Sequence, residues 1–68
     1  MTMVKTTMNL PQESIDILRD LATTTGVSMA EVVRRSVAID KFLHDTKSEG
    51  GKILIKDKNN SFRELLIF

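Results

Sequence analysis

Lys5, Thr7 and Asn9 stand at alternate positions near the start of the chain. On an extended backbone alternate side chains share a face, so an ammonium, a hydroxyl and a carboxamide would form one row of hydrogen-bonding groups. Taken alone, such a row is equally the solvated face of an ordinary strand. Little else in the sequence could do chemistry. The chain has no cysteine and one histidine, His44, which excludes thiolate metal sites and leaves no ligand spacing for zinc or iron. There is no nucleophile–base pair, no carboxylate dyad on a recognisable scaffold and no glycine-rich phosphate loop, so we expect neither an enzyme nor a cofactor.

The elements that must position this row can be traced in order. From Met3 to Leu10 the residues Val4, Thr6, Met8 and Leu10 share one parity, and Lys5, Thr7 and Asn9 the other. Period two with β-branched residues predicts a strand with one apolar and one polar face. Pro11 ends its ladder and suits the first turn of a helix, where Gln12, Glu13 and Asp16 favour the positive end. Ile15, Leu18, Leu21 and Ala22, widened by Ile17, make a helical stripe over about residues 11–24, closed by Gly26. Ser28-Met29-Ala30-Glu31 then reads as a capping box, with Val27 placed for a hydrophobic staple against Val32. The second helix should reach Thr46 or Lys47 before Gly50-Gly51 stops it.

Beyond the glycines, two apolar runs flank Asn59-Asn60, which predicts a β-hairpin. A register in which paired residue numbers sum to 120 sets Asp57 against Arg63, Lys56 against Glu64, Ile55 against Leu65 and Ile53 against Ile67. A slip to 119 opposes Lys56 and Arg63, so the first register is preferred. Ile53, Ile55, Leu65 and Ile67 then share one face, and Leu54, Leu66 and Phe68 the other. That second face either extends the core or dimer interface, or docks a partner.

With 68 residues and a net charge of +1, the chain is short of the roughly 70–80 residues below which a single core rarely suffices. Without disulfides or metal, oligomerisation is the remaining source of stability. The near-neutral charge argues against a basic tail wrapped on nucleic acid, so any such contact must come from locally placed groups. No run approaches the roughly 20 apolar residues that span a membrane. The opening residues lack a basic stretch followed by an apolar run, and we expect a cytoplasmic protein with no signal peptide and no membrane partner. One strand followed by two helices also has no neighbour within that unit, and the C-terminal hairpin is one source of an edge for it. A second copy of the same strand, antiparallel across a two-fold axis, would supply one.

The stretch V-K-T-T-M-N-L-P-Q-E-S-I-D-I-L-R-D-L-A, followed by T-G-V-S-M-A-E-V-V-R-R-S-V, resembles the ribbon-helix-helix superfamily of the MetJ, Arc and CopG repressors. The likeness covers residues 4–37. It implies an α+β ribbon-helix-helix fold: an intertwined homodimer whose intermolecular two-stranded antiparallel ribbon enters the DNA major groove, here with a C-terminal β-hairpin added. Residues 1–50 would be the DNA-binding and dimerisation domain, and residues 51–68 the hairpin. By resemblance Lys5, Thr7 and Asn9 are the base-reading residues, and Val27, Ser28 and Met29, at the start of the second helix, the phosphate clamp. The chemistry fits: lysine donates to guanine, asparagine pairs bidentately with adenine, and threonine packs its methyl on thymine. Free N–H groups and the helix dipole attract phosphate.

Only one charged side chain lies on the reading face, which points to cooperative assembly of several dimers on double-stranded DNA. Arg34 and Arg35 are either phosphate contacts or solvated residues pairing with Glu31. His44, Lys41 and Lys47 read as surface residues. The expected function is a sequence-specific, homodimeric transcriptional repressor. The alternative is an antitoxin whose ribbon binds operator DNA and whose hairpin is the protein partner's docking site, blocking a toxin.

Overall fold

The computed structural model describes residues 2–66, which form a small α+β protein of two helices and a two-stranded antiparallel hairpin. The chain divides into two units, Met1–Val33 and Arg34–Phe68.

In the first unit, helix α1 spans Gln12–Thr25. Pro11 has φ −56° and ψ 147°, so it is the residue before the helix rather than its first member, one position later than expected. Its carbonyl accepts from the N–H groups of Ser14 (3.0 Å) and Ile15 (3.2 Å). The threonines at the far end do not cut the helix short. Thr23 and Thr25 donate their hydroxyls back to the carbonyls of Arg19 and Leu21, at 3.0 and 2.7 Å, and the helix runs through both. Gly26 then turns left-handed at φ 72°, and the Ala22 carbonyl accepts from both Gly26 N–H (2.9 Å) and Val27 N–H (3.1 Å). Ala22 and Val32, one on each side of this turn, are the buried apolar residues, and Ile15, Leu18, Val27 and Met29 are half-buried.

Helix α2 spans Met29–Ser48, slightly beyond the expected Lys47. Ser28 begins it as the sequence predicts, its Oγ accepting from Glu31 N–H at 3.1 Å. Its end lies in the second unit. Gly50 is left-handed at φ 84° and donates to the Lys47 carbonyl (3.0 Å), while Gly51 donates to that of Thr46 (2.9 Å). These are the two bonds of a Schellman cap.

Strands β1 (Leu54–Lys56) and β2 (Phe62–Glu64) form the predicted hairpin in a different register. Leu54 pairs with Glu64, Ile55 with Arg63 and Lys56 with Phe62, so paired numbers sum to 118. The expected oppositions of Asp57 with Arg63, Lys56 with Glu64 and Ile55 with Leu65 are therefore corrected; that of Ile53 with Ile67 involves a residue outside those described, as does the place of Phe68. The loop explains the shift. Asn60 adopts φ 65°, its N–H bonds the Asp57 carbonyl (3.0 Å), and Asp57 N–H bonds the Ser61 carbonyl (2.8 Å). A three-residue loop with a left-handed third residue thus fixes Asp57 opposite Ser61. The attractive charges meet on the diagonal instead: Arg63 reaches Asp57 at 3.2 Å and Lys52 reaches Glu64 at 3.8 Å. A shift of two leaves the faces unchanged, with Ile53, Ile55 and Leu65 on one and Leu54, Phe62 and Leu66 on the other.

Within the single chain, residues 2–10 form no helix and no strand. A strand exists only against a partner strand, and the hairpin does not supply one.

Candidate nucleic-acid interface

Two groups of residues carry the recognition chemistry expected from the sequence, and both belong to the first unit. Lys5, Thr7 and Asn9 lie in residues 2–10, and every member of that segment is exposed. Exposure does not separate the two parities: Val4 and Met8, on the apolar parity, are 80% and 65% exposed, and the polar row is exposed as well. One chain therefore presents the donors and acceptors of Lys5, Thr7 and Asn9 to solvent but does not gather them onto a rigid face. What it does fix is where the segment ends, because Pro11 hands it directly to the first turn of α1.

The start of α2 is built more firmly. Ser28 Oγ is taken by Glu31 N–H, and the Ser28 carbonyl accepts from Val32 N–H at 3.1 Å. Val27 is half-buried and its N–H is committed to the Ala22 carbonyl. The open backbone donors of the expected clamp are thus those of Ser28 and Met29, with Val27 acting as the anchor that ties the turn to α1. The positive end of the α2 dipole is added to them. Glu31, Arg34 and Arg35 each make an interaction within the chain.

The positive φ expected at the Asn59-Asn60 turn falls on Asn60, the single non-glycine residue of that kind among those described. One feature escaped the sequence reading. An open concavity of about 260 Å³ lies where Lys47, Gly50 and Gly51 meet Lys52, Ile53, Glu64 and Leu65. The paired glycines were its one trace in the sequence. Among the described residues no group of histidine, aspartate and glutamate is arranged to hold a metal ion, and no helix is long and apolar enough to cross a membrane.

No protein-family model matches the chain, and neither the curated proteins nor the solved structures give a match.

Proposed function

We propose that two copies of this chain form a ribbon-helix-helix dimer that binds duplex DNA sequence-specifically and represses transcription. The observation that carries this reading is the segment 2–10, immediately before α1: alternating, wholly exposed, and without a partner strand among the described residues of its own chain. A backbone of that kind is completed by pairing with its own copy across a two-fold axis, which aligns two sets of Lys5, Thr7 and Asn9 on one surface.

The apolar surface agrees. Ile17, Leu21, Val33 and Val37 are exposed in the single chain, where Ala22 and Val32 alone are buried among the described residues. Covering these side chains in both copies gains on the order of 10 kcal/mol, about the entropic cost of association. The hydrogen bonds of the ribbon then tip the balance. In the dimer the phosphate contacts fall to the Val27-Ser28-Met29 stretch of each copy, through the Ser28 and Met29 N–H groups, and the base contacts to the ribbon.

The test is selection of DNA from a random pool by the purified protein, followed by sedimentation of the protein alone. A recovered pseudo-palindrome and a dimer at micromolar concentration support the proposal. A folded monomer, or a pool with no enriched sequence, refutes it.

A further inference from the structure

The chain has three asparagines, Asn9, Asn59 and Asn60. The carboxamide carbon of an asparagine is within reach of the next residue's backbone nitrogen, and their reaction closes a cyclic imide. In a folded chain it depends on the bulk of that next residue, the freedom of its N–H, and how readily the backbone turns. These conditions meet at Asn60.

Asn9 is followed by Leu10, whose branched side chain crowds the attacking nitrogen. Asn59 is followed by Asn60, whose N–H is held by the Asp57 carbonyl at 3.0 Å. Asn60 is followed by Ser61, a small residue, and both are exposed. Among the described residues the Ser61 N–H reaches only the Asn59 side-chain oxygen, at 3.4 Å, beyond the usual range of such a bond. Asn60 also stands at φ 65°, held there by the loop's closing bonds rather than by local preference. Ring closure swings Ser61 about the Asn60 Cα–C bond and breaks the 2.8 Å bond between Asp57 N–H and the Ser61 carbonyl. A two-stranded hairpin is marginal in water, and strands of three residues each open locally.

We propose that Asn60 is a self-modification site, converted in the native chain without an enzyme through an imide formed with Ser61. The Ser61 nitrogen attacks Cγ of Asn60. A C–N bond forms, the Cγ–Nδ2 bond breaks, and Nδ2 leaves as ammonia with the proton that the Ser61 nitrogen gives up. Water then opens the ring, and nothing is oxidised or reduced. Attack of water at Cγ gives aspartate. Attack at the former backbone carbonyl gives isoaspartate, in which the main chain runs through Cβ and Cγ. Either product adds a negative charge to a chain of net charge +1. Isoaspartate also adds a methylene to the loop whose length fixes the register, which loosens the hairpin. The hairpin of an old chain then differs from that of a new one while the helices do not. The inference is independent of the dimer proposed above.

The test is to hold the full-length protein in heavy-oxygen water at mildly alkaline pH, natively folded, and to follow it by mass spectrometry of the intact chain and its peptides. The expected result is exchange of amide for carboxyl at Asn60 ahead of Asn9 and Asn59, with uptake of heavy oxygen, release of ammonia and both isoaspartate and aspartate as products. Ser61→Val crowds the nitrogen and suits the adjoining strand, and should lose most of the modification. Amide exchange at Leu65, whose N–H bonds the Ile53 carbonyl at 2.8 Å, should speed up in the isoaspartate form. Modification that begins at Asn9 or Asn59, or that needs urea, overturns the inference. So does aspartate as the only product, which means direct hydrolysis with no imide, or a Ser61→Val chain that ages as fast as its parent. Unchanged exchange at Leu65 overturns the loosening of the hairpin.

Discussion

A Cβ placed on Gly51 would lie 2.8 Å from Thr46 Cγ2 and 3.0 Å from the Thr46 carbonyl oxygen, whose bond with the Gly51 N–H closes α2. The chain at this point leaves the helix so tightly that a methyl group has no room. We predict that Gly51→Ala lowers stability by about 1–2 kcal/mol, measured by urea denaturation. Thr46→Ser in the same chain should recover part of the loss: it removes Cγ2 and keeps the hydroxyl that bonds the Phe42 carbonyl at 2.9 Å. Absence of any rescue would place the strain in the backbone alone. Gly50→Ala should cost about 1 kcal/mol for a different reason, its φ of 84°, and no change at Thr46 should relieve it.

The hairpin loop gives the opposite sign. Asn60 tolerates φ 65° but glycine does so without strain. Asn60→Gly should stabilise the hairpin by a few tenths of a kcal/mol and Asn60→Val should destabilise it by about 1–2 kcal/mol. Amide exchange at Leu65, whose N–H bonds the Ile53 carbonyl at 2.8 Å, reports the change locally. Slower exchange in Asn60→Val than in the parent chain would contradict the three-residue loop.

What was legible in the sequence follows from the range of the forces involved. Pro11, Gly26, Ser28 and Gly50 act within one turn of where they stand, and each helix end fell within a residue or so of its expected place. The hairpin register was not legible by charge. Cross-strand pairs are worth a few tenths of a kcal/mol and can be satisfied on the diagonal, as Arg63 and Asp57 do, whereas the left-handed Asn60 fixes the loop length outright. The commitment of Val27 N–H to Ala22 was missed because the same residue was read only as part of the second helix's start. The segment 2–10 marks the other limit. Its period of two is plain in the residues, yet a strand is a property of a pair, and no partner strand stands beside this segment among the described residues.

Ser28 separates stability from binding. Its Oγ caps α2 through Glu31 N–H, so Ser28→Ala should cost about 1 kcal/mol. Aspartate caps equally well, and Ser28→Asp should keep the melting temperature near that of the parent. Its charge, however, would stand where the proposed dimer receives a phosphate, and DNA affinity should fall by an order of magnitude or more. Thermal melting and fluorescence anisotropy on the same samples decide it. Equal DNA affinity for Ser28→Asp and the parent would take the start of α2 out of the interface.

The proposed ribbon makes the sharpest demand, because its three polar residues should fail in different ways. Thr7 and Asn9 are exposed and make no hydrogen bond within the described chain, so replacing them with alanine should leave the fold unchanged. Each loss should cost about 1–3 kcal/mol on the selected sequence and much less on an unrelated duplex, since base contacts discriminate and phosphate contacts do not. Lys5→Ala should also reduce the salt dependence of binding, by a slope of about one for each phosphate or counterion it engages. In the proposed dimer two copies contribute together, so each substitution would count twice. Anisotropy titrations at several salt concentrations, on both duplexes, distinguish these patterns. If Thr7→Ala and Asn9→Ala weaken both duplexes equally, the segment holds the backbone rather than reading bases. If neither has any effect, it is not at the interface.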